Sequence, residues 1–364
     1  MNSGKNSLLY TLLFNMQKYY KIIGLLLLIA GSGQLFGQKR AVEVLTTGTK
    51  TSLRGLSVVN DNVLWVSGSQ GKVGRSTNGG KNWKWMTVPG FEKAEFRDIE
   101  AFGPNTAIIM ASGDSAYILK TTDGGDNWRI VYQNFTKGMF LDAMDFYTPE
   151  HGIVVGDPVN NRFFIAETKN NGDTWEQTNL QHPGAVADSG EAFYAASGTN
   201  VRLFPDGSFY LASGGKASRL ITRTSATALP LVQNTPASGA YSIAVYKRSQ
   251  KTKRTHIVIV GGDYTRDTVN TQNCIFSVNN GKTWQRPKTP PRGFRSCVEF
   301  ITDEVLIACG TSGVDLSYDA GRRWVNISGD SYNVCRTGKF SNVVFLAGNN
   351  GTIGKLVETS KMEN

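Results

Sequence analysis

Charged side chains in this sequence recur at the beginnings and ends of a repeated strand pattern, where they could bind a polar ligand. Arg54, Arg97 and Arg295 each lie at the start of one repeat, and an arginine guanidinium can donate two parallel hydrogen bonds to a carboxylate. The other candidate ligand-binding residues are Asp98, Asp142, Asp157, Glu191, Arg219 and Asp263. We expect this set to bind a carboxylate or another polar ligand at one mouth of a central channel. The alternative is that these residues pair with one another and line a water-filled channel.

Five short segments with the pattern Ser/Thr-x-Asp/Asn-x-Gly-x-x-Trp predict the turns between these strands. The third residue can accept bonds from backbone N–H groups two or three residues on, and the glycine reaches the left-handed conformation that a hairpin needs. The tryptophan supplies an apolar ring for packing. We therefore interpret the segments as structural turns rather than catalytic sites. Their defining residues are Asn78 and Trp83, Asp123 and Trp128, Asn170 and Trp175, Asn279 and Trp284, and Asp319 and Trp324.

A second marker gives the number of repeats. Apolar strands ending in glycine occur at Gly68, Gly113, Gly156, Gly214, Gly261, Gly310 and Gly348. The first and last of these are 280 residues apart, or about 47 residues for each of six intervals, which suits a four-stranded propeller blade. A degenerate turn at residues 222–230 fills the one long gap between boxes. The sequence therefore predicts an all-β, seven-bladed β-propeller.

The two ends of the repeat array predict how the ring closes. The seventh unit stops after residues 351–356 without a box or a fourth strand, and the alternating stretch 41–47 is otherwise unassigned. We expect 41–47 to supply the missing outer strand and remove the open edge. In such blades the box turns lie on the face opposite the strand starts. The ligand site is therefore expected on the face without the boxes.

The N-terminal segment is typical of a secretory signal peptide covering residues 1–38. An apolar run at 22–30 follows Lys18 and Lys21 and is itself followed by small and polar residues. The run is too short for a membrane span of about 20 residues, and Met16 is an alternative start. We expect a secreted or periplasmic protein with one propeller domain at 39–364, monomeric and without a transmembrane segment.

Composition and charge limit the partners and cofactors. The chain is 40% apolar and 19% charged, as in globular proteins. Basic residues exceed acidic ones, partly through a cluster at 247–254, which is either a solvated loop or a patch for an acidic partner or membrane surface. Nucleic acid is not expected to bind an exported protein. The three histidines lack ligand spacing, and no nucleotide or haem motif occurs, so we expect no metal and no cofactor.

The four cysteines leave two alternatives open. Cys274, Cys297, Cys309 and Cys335 all lie in apolar, strand-like stretches. Export would permit disulfides with three pairings, whereas free thiols buried in the core are equally compatible with the sequence.

The box pattern resembles the Asp-box, or BNR repeat, of the sialidase-like superfamily. Enzymes of that superfamily use an arginine triad, a Tyr–Glu nucleophile pair and an acidic aspartate. Arg54, Arg97 and Arg295 stand in three different repeats, as such a triad requires. The usual Phe-Arg-Ile-Pro segment is replaced by Phe-Arg-Asp-Ile at 96–99, and the sequence identifies no Tyr–Glu pair. The resemblance implies a glycoside hydrolase or lyase as the alternative function.

The repeat style Val-Gly-x-x-Gly followed by Thr-x-Asp-Gly-Gly-x-x-Trp resembles the photosystem II stability and assembly factor family over residues 40–356. Segments such as FLDAMDF, GIVVGDP and EAFYAASGT resemble a bacterial subgroup related to that family. The resemblance implies a non-enzymatic, seven-bladed propeller, with an arginine patch corresponding to Arg54, Arg97 and Arg295. We therefore favour a binding or assembly-type protein that recognises a protein segment or a small polar ligand. An oxidoreductase is a third alternative without support from any motif.

Overall fold

The apolar runs that end in glycine form interior strands of the sheets, each flanked by a strand on both sides, and most of their side chains are buried. The computed structural model describes residues 39–46, 48–113, 115–248 and 254–359. Contacts group residues 41–357 into one unit, and the terminal segments form another, of which 39–40 and 358–359 are described. The predicted signal peptide at 1–38 and the basic side chains of 247–254 lie outside the described part.

The N-terminal strand and the first three sheets follow one another along the chain. The strands are β1 (Lys39–Thr46); β2 (Leu53–Val58), β3 (Leu64–Gly68), β4 (Lys72–Ser76) and β5 (Lys84–Thr87); β6 (Glu95–Ala101), β7 (Ala107–Ser112), β8 (Ala116–Thr121) and β9 (Arg129–Asn134); and β10 (Leu141–Phe146), β11 (Gly152–Val159), β12 (Arg162–Thr168) and β13 (Glu176–Gln177). The sheets are β2–β5, β6–β9 and β10–β13, each in sequence order.

The remaining strands form four more sheets. They are β14 (Glu191–Ala192), β15 (Val201–Leu203), β16 (Phe209–Ala212), β17 (Gly214–Gly215), β18 (Arg219–Ile221), β19 (Ala226–Ala228), β20 (Ser238–Arg248), β21 (Arg254–Asp263), β22 (Cys274–Ser277), β23 (Cys297–Phe300), β24 (Leu306–Gly310), β25 (Gly313–Ser317), β26 (Val325–Ser328), β27 (Val334–Thr337), β28 (Val344–Ala347) and β29 (Ile353–Thr359). Their orders are β15-β16-β18-β19, β14-β17-β20-β21-β22, β23-β24-β25-β26 and β27-β28-β29-β1. Three short 3-10 helices cover Pro183–Ala185, Tyr264–Arg266 and Asn349–Gly351.

Seven sheets of this kind confirm the predicted all-β, seven-bladed propeller. Burial decreases outward within a blade: all five residues of β3 are buried, whereas the outer strand β5 of the same sheet has none that is. The core therefore lies between neighbouring blades, on the faces of the inner strands. In the part of the chain that the structure describes, no helix is long and apolar enough to cross a membrane.

The N-terminal strand β1 is the outermost strand of the seventh sheet, next to β29. Val42 and Leu45 of β1 pack against the core that contains Phe345 and Ile353. The first and last parts of the repeat array therefore share one blade.

The fourth blade begins later than the sequence predicts. The repeat pattern predicts that the fourth blade opens at Glu191, but Glu191 and Ala192 form β14, which pairs with β17 and joins the fifth sheet. The first strand of the fourth blade starts at Val201. Its degenerate outer turn is a tight hairpin in which Thr222 N donates to the carbonyl of Ser225 at 2.8 Å.

The five box turns share one hydrogen-bond geometry. In the first, Ser76 Oγ accepts from Gly80 N at 2.9 Å and Asn78 Oδ1 accepts from Asn82 N at 2.9 Å. The equivalent bonds of the other four turns measure 2.7–3.0 Å. The Asp or Asn therefore reaches an N–H group four residues on, not two or three, and one side chain spans the whole turn. This geometry supports a structural role.

All four cysteines are buried free thiols. Cys297 on β23 and Cys309 on β24 lie opposite each other in the strand register. Cys335 packs in the same hydrophobic core as these two residues. Here the thiols behave as small apolar side chains.

Candidate functional site

A cavity of about 430 Å³ opens on the face where the first strands of the blades begin. Four of the nine predicted ligand-binding residues line it: Arg54, Arg97, Asp142 and Asp157. The volume falls in the range of small-molecule and peptide side-chain sites. The predicted location, opposite the box turns, therefore holds a cavity with both acidic and basic walls.

Strand bulges place the functional side chains at this mouth. The pairing of β2 with β3 moves from Leu53 to Gly55 and skips one residue of the first strand. Five cavity residues are skipped in this way, namely Arg54, Arg97, Asp142, Asp157 and Tyr241. A bulge leaves its extra residue out of the ladder and redirects its side chain. The same local irregularity, repeated in four blades, therefore builds the cavity wall.

The segment 193–200 fills the channel beneath the cavity. Ser197 Oγ donates to the carbonyl of Ser296 at 2.7 Å, and Thr199 Oγ1 donates to Ser242 Oγ at 2.7 Å. Both side chains have no exposed surface. Gly198 has a φ of 66° and lies against the Asp98 carboxylate, where a Cβ atom would be 2.1 Å from Oδ2. Small residues of the chain therefore plug the channel at this level.

Arg54 and Arg97 lie above this plug with few hydrogen bonds. Arg54 Nη1 donates to the carbonyl of Ala196, and Arg97 Nη1 to that of Ala195, both at 3.4 Å. Such bonds are long and weak. Burial and, to a smaller extent, the positive charge of Arg97 lower the pKa of Arg54 to about 10, and Glu95 opposes the shift. Two adjacent, partly desolvated guanidinium groups favour the binding of an anion.

The two acidic residues of the cavity are also poorly solvated. Burial, together with the charge of Asp157, raises the pKa of Asp142 well above its ordinary value, and Arg97 opposes the shift. Burial raises the pKa of Asp157 to about 6, although its Oδ1 accepts from Phe193 N at 3.0 Å. Burial therefore disfavours the ionised form of both carboxyl groups.

Aromatic rings form one wall of the cavity. Tyr194 and Tyr241 stack with ring centroids 3.9 Å apart, and the ring of Phe294 meets Tyr241 edge-on at 4.7 Å. The hydroxyl groups of both tyrosines donate to backbone carbonyls, Tyr241 to Ala237 at 2.9 Å. The sequence prediction missed Tyr194, Tyr241 and Phe294. Position was a signal for two of them, because Tyr194 lies close to Glu191 and Phe294 directly precedes Arg295 in the sequence, whereas Tyr241 lies in β20, where no candidate residue was predicted.

Arg295 does not reach the cavity, which corrects the predicted arginine triad. Its side chain has no exposed surface, and Nη2 lies 2.5 Å from Asp315 Oδ2. Nη1 donates to the Phe294 carbonyl and to Ser312 Oγ, both at 2.7 Å. The described strand β23 begins after Arg295, so no bulge turns this side chain toward the mouth. Arg295 is a buried structural residue.

Asp98, Glu191, Arg219 and Asp263 are also engaged elsewhere. Asp98 lies under the plug, accepts from Met144 N at 2.9 Å and has Arg336 Nη2 at 3.9 Å. Glu191 forms a two-point ion pair with Arg219, with Nη2–Oε2 at 2.5 Å and Nε–Oε1 at 2.9 Å. Asp263 caps a 3-10 helix by accepting from Thr265 N at 3.0 Å. For these residues the prediction of mutual pairing describes the structure better than the prediction of ligand binding.

The opposite mouth contains a larger cavity of about 910 Å³ that the sequence did not predict. Its charged side chains are paired within the wall. Arg202 Nη2 lies 2.9 Å from Glu299 Oε2, and Lys339 Nζ lies 2.7 Å from Glu100 Oε2. These internal pairs leave less charge for a ligand than Arg54 and Arg97 do at the first mouth.

The fold and the cavity define a seven-bladed β-propeller with a plugged channel and a ligand-sized site at one mouth. No family model and no curated protein matches the sequence. Among solved structures, the fold is similar to YCF48 bound to D1 peptide, with 16% identity, a TM-score of 0.59 and coverage of 88% of this chain and 97% of that one. It is also similar to YCF48 from Cyanidioschyzon merolae, with 19% identity, a TM-score of 0.61 and coverage of 86% and 98%.

The WD40 β-propeller domain of Doa1 is similar to the same degree, with 11% identity, a TM-score of 0.60 and coverage of 90% and 99%. At these identities the similarity establishes the propeller fold alone. Ligands therefore have to be argued from the cavity of this chain.

Proposed function

We propose that this protein is a binding or assembly-type propeller that holds a protein segment or a small polar ligand at the cavity mouth. The observation that carries the proposal is the pair Arg54 and Arg97. Both guanidinium groups line the cavity and make long bonds to the plug, and Arg97 Nε also lies 3.5 Å from Glu95 Oε2. A ligand carboxylate would supply the charge-assisted hydrogen bonds that both groups lack.

The aromatic wall supports a ligand with an apolar part beside its carboxylate. Because the hydroxyl groups of Tyr194 and Tyr241 are used by backbone carbonyls, their rings present mainly apolar surface to the cavity. A mostly apolar wall with a few convergent charged groups is the usual composition of a ligand site. One similar propeller, YCF48, has a structure with a bound peptide, which supports a peptide segment as the ligand class. Export through the N-terminal segment is part of the same proposal.

A peptide-binding measurement tests this function. The probes are fluorescein-labelled heptapeptides with randomised internal positions, carrying either a free C-terminal carboxylate or a terminal amide. We expect fluorescence polarisation to show tighter binding of the free-carboxylate pool. Replacing both arginines, Arg54→Gln and Arg97→Gln, should weaken that binding roughly 10-fold or more, because charge-assisted hydrogen bonds are lost.

Arg129→Gln is the matched control, since Arg129 is an exposed arginine on an outer strand. It should leave binding unchanged. Equal affinity for the carboxylate and amide pools, or full binding by the double variant, would contradict the proposed function.

A glycoside hydrolase, the predicted alternative, needs two carboxyl groups that face one open cleft. Asp142 and Asp157 line the same cavity, but Asp142 is only 1% exposed. Asp98, Glu191 and Asp263 make the contacts described above. The geometry therefore favours ligand binding.

A further inference from the structure

The arginine cavity continues into a second depression on the same face. This depression, of about 580 Å³, shares Asp157 and Ala192 with the arginine cavity. Asp188, Glu191 and Asn161 line its other side. The two depressions therefore form one trough, with the arginines at one end and Asp157 in the middle. We call the second depression the acidic end of the trough.

The charges of the acidic end have one sign. Within the described residues its lining includes Asp157, Asp188 and Glu191 and no lysine or arginine. Glu191 is neutralised by Arg219 at 2.5 Å. Asp188 is 62% exposed, and its nearest cation, Arg219 Nε, lies at 3.8 Å. Asp157 and Asp188 are therefore the carboxylates available to a ligand.

The buried carboxyl of Asp142 lies at the junction of the two ends and has no well-formed hydrogen bond within the described residues. Asp142 lines the arginine cavity beside Asp157 and is 1% exposed. Neither of its oxygens has a hydrogen-bond partner of normal geometry among the described residues, although the backbone N–H groups of Asp157 and Ala195 are close enough to oppose the rise in its pKa. Asp157 Oδ1 has the Phe193 N–H as its partner, and no described group donates to its Oδ2. Buried polar groups without partners are rare in folded proteins and call for an explanation. A positively charged donor from a ligand would satisfy this junction.

We propose that the trough selects a dipolar peptide segment, with a carboxylate at Arg54 and Arg97 and a lysine or arginine side chain between Asp157 and Asp188. The inference rests on the proposed function, because it assigns the second half of the same ligand. The arginines and the aspartates lie at different ends of the trough. This arrangement favours a ligand with its carboxylate at one end and its positive charge at the other. A ligand that is acidic throughout would place like charge against Asp157 and Asp188.

The test uses a set of defined probes. Each is a fluorescein-labelled peptide that ends in Lys-(Gly)n-Ala with a free carboxylate, where the number of glycines varies from none to a few. Matched probes carry norleucine, which keeps the length of lysine without its charge, or a C-terminal amide. The proteins are wild type, Asp157→Asn, Asp188→Asn and the double variant. Asp126→Asn, at an exposed box turn, is the control, and thermal unfolding verifies that each variant folds.

We expect the lysine probe of best spacing to bind wild type roughly 5-fold or more tightly than its norleucine partner, as for a pair of accessible ionic contacts. That ratio should fall toward one in the double Asn variant and stay unchanged in Asp126→Asn. Loss of affinity on amidation should persist in every acidic variant. These results would assign the cation to the acidic end independently of the arginines.

Two outcomes would overturn the inference, and only one of them would also contradict the proposed function. If lysine and norleucine probes bind equally at every spacing while amidation still weakens binding, the dipolar preference is wrong and the proposed function stands. If no free-carboxylate probe binds wild type, both fail. The comparison of probes on wild type remains decisive even if one Asn variant does not fold.

Discussion

At the scale of single residues, side chains of one type have divided roles. Arg54 and Arg97 are bulge residues at the cavity, whereas Arg295 is completely buried against Asp315. The sequence places all three at equivalent strand starts. The sequence cannot distinguish them, because the direction of each side chain depends on the register of strand pairing. A shift of one residue reverses that direction, and the partner strand sets the register.

The buried ion pair of Arg295 and Asp315 gives a prediction about stability. We expect Arg295→Met to lower the free energy of unfolding by about 3 kcal/mol or more, because it leaves the Asp315 charge buried without its partner. Arg54→Met should leave it unchanged or raise it, because the change removes a charge that burial and Arg97 disfavour. Urea denaturation followed by tryptophan fluorescence measures both. Similar stabilities for the two variants would show that Arg295 is not a structural residue.

The pKa of Asp157 gives a pH prediction. Burial raises it to about 6, so the folded chain retains a proton that the unfolded chain releases near pH 4. This side chain therefore favours folding most at low pH, and that contribution is lost as the pH rises through 6.

Asp157→Asn never ionises and keeps the acceptor for Phe193 N. We expect its stability relative to wild type to increase between pH 4.5 and 7.5 by about 2 kcal/mol, measured by urea denaturation at several pH values. A difference that does not change with pH would contradict the assigned burial of this carboxyl.

At the scale of elements, the turns could be predicted and the bulges could not. The box residues form a contiguous pattern whose hydrogen bonds are local, so five turns can be read directly from the sequence. The bulges at Asp142 or Tyr241 exist only relative to a neighbouring strand. The strand starts alone therefore located the site on the correct face but could not show which side chains enter it.

The left-handed glycines of the boxes give a prediction at this scale. Gly172 has a φ of 73°, and a Cβ atom there would lie 2.3 Å from Ile108 Cδ1. We expect Gly172→Ala to destabilise the protein by about 1–3 kcal/mol and to leave peptide affinity unchanged. Gly103→Ala is the control, because nothing lies within 4 Å of its Cβ position. A stable Gly172→Ala variant with lost binding would mean that the boxes belong to the binding site.

At the scale of the whole molecule, the repeat count predicted the ring but not its centre. Seven glycine-terminated strands specify seven blades, because each repeat adds one similar unit. The plug at 193–200 belongs to no repeat, and its small residues resemble an ordinary loop in the sequence. It closes the channel and forms the floor of the cavity at Ala195 and Ala196. The two mouths are therefore separated by this plug and present different walls to a ligand.

Photo-crosslinking tests most directly which mouth binds. Free-carboxylate heptapeptides carrying benzoylphenylalanine would be irradiated with the wild-type protein, and the crosslinked residues mapped by mass spectrometry. We predict crosslinks at residues 192–196 and at Tyr264, and their loss in the double Arg54→Gln, Arg97→Gln variant. Crosslinks concentrated at the opposite mouth, around Phe340, would contradict the account.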